Sequence, residues 1–97
     1  RRVAMIVGLL TVELHIRGAR SLKDKRAVLR RLKDRLGRLN VAVAEVDHHE
    51  LRQRAELALV TVGVDQEIAE RTLDAVVDEI ERLEPGLLLR SETEWLT

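Results

Sequence analysis

Two polar stretches of this chain hold the residues whose types could do chemistry: HIRGARSLKDKR over residues 15–26 and AEVDHHELRQRAE over residues 44–56. In the second, Asp47, His48, His49 and Glu50 stand beside Glu45, a set of carboxylates and imidazoles of the kind that ligates metal ions. The spacing argues against that use. Adjacent residues in a turn or strand point in different directions, and no HxH or HExxH pattern brings two imidazoles to one ion. No metal, cofactor or catalytic residue is therefore expected, and His48 reads as a hydrogen-bonded turn residue. In the first stretch, Arg17, Gly18 and Arg20 precede Ser21, which opens a helix, a place where free amides and the helix dipole favour an anion. Lys23, Lys25, Arg26 and Arg30 continue the positive charge along that helix, and Arg54 joins the set from the second stretch. Acylphosphatases work with a comparable loop holding an Arg and an Asn. Asn40 is the only Asn here and the Gly-rich loop of that family is absent, so a hydrolase of acyl phosphates ranks last among the readings.

These segments need elements to position them. Residues 3–16 read as a strand with Ile6, Leu10, Val12, Leu14 and Ile16 on one face and Met5, Val7, Leu9, Thr11, Glu13 and His15 on the other. Ser21 with Asp24 three residues on is a capping-box variant, and Leu22, Leu29, Leu32, Leu36 and Leu39 form the inward stripe of the helix, widened by Val28. Lys25 shares that angle, so its stem covers the core edge and its ammonium is expected to emerge among the loops. A strand over residues 41–46, a charged turn over 47–52 and a strand over 55–64 read as a hairpin. Asp65 caps a second helix carrying Ile68, Leu73, Val76, Val77, Ile80 and Leu83, Pro85-Gly86 stops it, and residues 87–96 supply a last strand. The order βαββαβ predicts one ferredoxin-like α+β domain over residues 1–97, a four-stranded antiparallel sheet with two helices on one face. With right-handed crossovers, the end of the first strand and the turn between the second and third lie on one edge, which brings the two polar stretches together.

Composition sets limits. The absence of Cys removes disulfides, thiolate nucleophiles and Cys-ligated zinc, and fits a reducing compartment. The longest apolar stretch, residues 3–10, is far short of the roughly 20 residues of a membrane helix, and no signal-peptide pattern is present. A soluble, cytoplasmic protein with no membrane partner is expected. The chain opens on Arg1 rather than Met, which reads as a trimmed or altered start. One Asn, two Gln, one Met and one aromatic, Trp95, fit a hot or GC-rich source.

Charge is balanced overall, 17 basic against 17 acidic, but polarised. Arg17, Arg20, Lys23, Lys25, Arg26, Arg30, Arg31, Lys33, Arg35 and Arg38 face only Asp24 and Asp34 within residues 17–38, while residues 65–84 are strongly acidic. Two readings follow: a cationic strip for RNA phosphates, or cross-helix ion pairs between neighbouring helices. On the open face of the sheet, Val7 and Leu9 with Leu57 and Leu59 are expected to leave an apolar patch in water, the mark of an interface and hence of a homo-oligomer. Trp95 could add to that face or pack ordinarily. RNA-binding sheets of this topology stack bases on aromatics, and the chain has no Phe or Tyr, so stacking recognition is set aside.

The strings MIVGLLTVELHI, ARSLKDKRAVLRRLKDRL, NVAVAEVD and LRQRAELALV, in this order, resemble the YlxP-like family of small bacterial proteins of undetermined function. The resemblance implies a ferredoxin-like fold and a gene often set among those for transcription elongation, translation initiation and ribosome maturation, hence a ribosome or RNA link. Ser21, Leu22, Lys23, Lys25, Arg26, Gln53, Arg54 and Glu56 match family-typical positions without known roles. Arg52 stands where an aromatic is common, and His48 and His49 fall where the family varies. The leading expectation is a non-enzymatic ribosome- or RNA-associated accessory factor gripping phosphates with the first helix. A homo-oligomeric ligand-binding or assembly module is the competitor.

Overall fold

Six elements appear in the computed structural model, which describes residues 4–97: β1 (Ile6–His15), α1 (Leu22–Leu36), β2 (Ala42–Asp47), β3 (Arg54–Gly63), α2 (Gln66–Leu83) and β4 (Leu88–Trp95). The expected start of β1 at Val3 lies outside the described residues. All strand pairs are antiparallel and the sheet order is β2-β3-β1-β4, the ferredoxin-like arrangement, with β2 and β4 at the edges.

Alternation along the central strands decides which face is covered. Leu10, Val12, Leu14 and Ile16 are buried, as are Ala55, Leu57, Leu59 and Thr61 on β3. The register Leu10↔Leu59 and Val12↔Leu57 puts both sets on the helix side. Leu29, Leu32 and Leu36 of α1 and Ala69, Leu73, Val76 and Ile80 of α2 close the core from above. Each such Leu or Ile, fully removed from water, contributes about 1.5–3 kcal/mol. In α2 the spacing of four, three and four from Ala69 to Ile80 sets the inward stripe. Ile68 therefore sits about 100° away from it and is 58% exposed.

Leu57 and Leu59, expected on the open face, are both core residues. The β3 run is apolar in both phases, and its register with β1 selects the Leu phase for the interior. The open face instead carries Val7 opposite Val62 and Leu9 opposite Val60, with Ala42 and Ala44 of β2 alongside. Trp95 packs on the helix side, above Gly8, where an added Cβ would lie 2.6 Å from Trp95 Cζ3. That contact requires the glycine.

Local signals end the elements. Ser21 Oγ accepts from the Asp24 amide at 3.1 Å while Asp24 Oδ2 accepts from the Arg20 amide at 2.9 Å, so the capping pair reaches one residue further back than a standard box. Asp65 accepts from the Glu67 and Ile68 amides at the start of α2. Gly86, at φ 85°, turns the chain into β4.

Candidate functional site

The two polar stretches do meet, and mostly through backbone. The Gln53 amide donates to the Arg17 and Ala19 carbonyls at 3.0 and 3.1 Å, Arg52 Nη1 donates to the Arg20 carbonyl at 3.2 Å, and the Ile16 amide donates to the Gln53 carbonyl at 2.8 Å. Lys25 completes the junction. Its ammonium, 1% exposed, donates to Glu45 Oε2 at 3.0 Å and to the carbonyls of His48, His49 and Arg54 at 2.9, 3.3 and 3.2 Å. The expectation that this ammonium would emerge to hold an anion is corrected: its donors are spent on protein oxygens. Burying a lysine alone costs heavily, and here three carbonyls and a carboxylate compensate for the lost water.

Of the remaining anion-binding candidates, the Ser21 hydroxyl serves the cap. Arg54 turns to the open face and reaches Glu13 Oε1 at 3.3 Å. Arg17, Arg20, Lys23, Arg26 and Arg30 are exposed. Arg26 and Arg30 come together with Lys33 along a shallow cleft of about 400 Å³ between α1 and β2, lined also by Leu29 and by the carboxylates of Asp34 and Glu45. Lys33 was absent from the expected site set; its spacing three residues after Arg30 was the available signal. Asn40 donates to the Val62 carbonyl at 2.9 Å. It therefore sits at the far end of the sheet from the Arg17–Ser21 loop, and the acylphosphatase pairing of Arg with Asn is not assembled.

The expected cross-helix ion pairs are sparse. Arg35 to Glu79, at 3.8 Å, is the one salt bridge joining α1 to α2 among the described residues.

On the open face, at the end near the loops, a polar group forms that the spacing did not foretell. The register shifts between Glu45 and Asp47, which turns Asp47 onto the open face opposite Glu56. His48 follows at φ 64°, a left-handed backbone rare outside glycine and the Asn, Asp and His group. Its Nε2 lies 3.5 Å from Glu13 Oε1. Potential ligand atoms of Asp47, His48 and Glu56 all lie within 4.8 Å of one another. Adjacent residues thus do converge here, because a bulge and a left-handed residue redirect them.

No described helix is long and apolar enough to cross a membrane. The fold and the loop junction define a small ferredoxin-like α+β domain with a basic first helix. The chain belongs to the family described as "Protein of unknown function (DUF503)", whose profile matches residues 7–93, the YlxP-like family of uncharacterised bacterial proteins. It is 30% identical over 91 residues to "Uncharacterized protein YlxP" of Bacillus subtilis (strain 168), covering 93% of this chain and 99% of that one. Among solved structures, an uncharacterized NIPSNAP-like domain protein from Burkholderia xenovorans superposes with a TM-score of 0.62 at 14% identity, over 99% of this chain and 86% of that one. The de novo designed protein Foldit4 gives 0.61 at 16% identity, over 96% and 97%. Both likenesses concern the fold.

Proposed function

We propose that the protein is a non-enzymatic accessory factor that binds RNA, on the ribosome or on its way into it, through α1 and the loop that precedes it. One observation carries this reading. Within residues 17–38 only Lys25 and Arg35 have a carboxylate within ion-pair distance among the described residues. Arg17, Arg20, Lys23, Arg26, Arg30, Arg31, Lys33 and Arg38 keep their charge for an outside partner. Five of these cations, Lys23, Arg26, Arg30, Arg31 and Lys33, lie on α1; from Lys23 to Lys33, at about 1.5 Å per residue, they cover about 15 Å of helix, suited to phosphates rather than to base stacking. The gene setting implied by the family resemblance points to the same partner.

Co-sedimentation with purified ribosomal subunits at two salt concentrations tests it. Binding at low salt that falls steeply with added salt, and is lost in the double variant Lys23→Glu with Arg26→Glu, supports the reading. No co-sedimentation at low salt counts decisively against it.

A second reading, self-association through the open sheet face, is favoured by Met5, Val46, Val60 and Val62, which stand 52%, 46%, 37% and 52% exposed. Sedimentation equilibrium checks it. A dimer that Val60→Glu converts to a monomer supports it, and a monomer at high concentration removes it.

A further inference from the structure

The acidic residues on the open face are arranged in a way that RNA binding leaves unexplained. Glu13 is the Cα partner of Glu56, and Glu56 of Asp47, so three carboxylates stand side by side on three adjacent strands. Like charges directly opposite one another weaken a sheet. Glu13 has Arg54 at 3.3 Å and the His48 ring at 3.5 Å. Glu56, the middle member, is half-buried, yet among the described residues it has neither a cation within ion-pair distance nor a hydrogen-bond donor. Arg54 is engaged by Glu13, and Arg90, which lines the same hollow as Glu13 and Glu56, is engaged by Glu92, so the Glu56 carboxylate is left open to a positive charge from outside.

We propose that Asp47, His48 and Glu56 hold a divalent transition-metal ion of zinc-like chemistry. Their donor atoms already lie within 4.8 Å of one another. Donors bound to one ion at about 2.0–2.2 Å stand at most about 4.4 Å apart, so small torsional adjustments close the set. One imidazole nitrogen with two carboxylate oxygens suits a borderline cation such as zinc, whereas magnesium or calcium prefers oxygen alone. Glu13, beside His48 Nε2, either completes the set or fixes the ring. Solvent reaches the outer side and fills what remains. The scaffold holds the group from behind, because Lys25 takes the His48 and His49 carbonyls.

Titration calorimetry of the whole chain with zinc, with magnesium as the hard-cation control, tests the site, and cobalt absorption reports nitrogen ligation. One zinc per chain, a raised unfolding temperature and a cobalt band are expected. His48→Asn, which tolerates the left-handed backbone, and Glu56→Gln should each weaken zinc binding at least about tenfold. Glu56→Gln should also raise the metal-free unfolding temperature by relieving the repulsion, which shows that the variant folds. Absence of zinc uptake at micromolar concentrations, or uptake that either variant leaves unchanged, overturns the assignment.

Discussion

Lys25 Nζ lies 3.0 Å from Glu45 Oε2, and through this pair α1 is fastened to edge strand β2 and to the turn that follows it. Removing one partner of a buried pair costs about 3–5 kcal/mol, because the other charge and its carbonyl neighbours lose their compensation. Lys25→Met should therefore lower the unfolding temperature by more than about 12 °C, at about 4–8 °C per kcal/mol for a domain of this size. Lys23→Ala, two residues earlier and exposed, should change stability by less than about 0.5 kcal/mol. Thermal unfolding followed by circular dichroism separates the two.

The two phases of β3 give opposite outcomes on truncation. Leu57→Ala empties a fully buried position and should cost about 2–5 kcal/mol. Val60→Ala on the open face should cost well under about 1 kcal/mol. Urea unfolding of both variants measures the contrast; equal losses would place the two side chains in equivalent surroundings.

Gly8→Ala drives a methyl into the Trp95 ring, whose Cζ3 and Cε3 stand 2.6 and 3.1 Å from the added carbon. A loss of about 1–3 kcal/mol is expected. Trp95 is the sole aromatic, so its fluorescence reports the site directly, and a red-shifted emission in the variant marks the displaced ring. Trp95→Leu in the Gly8→Ala background should recover part of the loss.

The unpartnered cations of α1 repel one another. Arg26 stands four residues from Arg30 and three from Lys23, and Arg30 three from Lys33, and such like-charge pairs cost about 0.2–0.5 kcal/mol each. Adding salt from tens of millimolar to about half molar shortens the screening length to a few ångströms, so the unfolding temperature should rise. A surface stitched by cross-helix ion pairs would show a fall. Arg26→Glu should stabilise the free protein by a few tenths of a kcal/mol while weakening RNA binding, an exchange of stability for function.

Much of the fold was legible because the apolar periods of two and 3.6 were clean in β1, α1 and α2, and because Ser21, Asp65 and Pro85-Gly86 punctuated them. The phase of β3 was not, since Leu57 and Leu59 alternate with Ala58, Val60 and Val62 and only the pairing with β1 distinguishes the two sets. At the site, the meeting of the polar stretches followed from topology. The fate of the Lys25 ammonium did not, because three of its four acceptors are backbone carbonyls, which leave no trace in residue type. Nor was the convergence of Asp47, His48 and Glu56 visible. It depends on a bulge and on a left-handed histidine where no glycine marks the turn.

The placement of β2 and β4 at the rims of the sheet bears on how the protein behaves in a crowded solution. An edge with free amides and carbonyls recruits strands from other molecules unless something interrupts it. On one rim the irregular pairing after Glu45 breaks the run; on the other, Arg90, Glu92 and Glu94 stand exposed along β4. Both interruptions are of the kind that discourages a rim strand from adding another chain, while β1 and β3 already have both edges paired within the sheet.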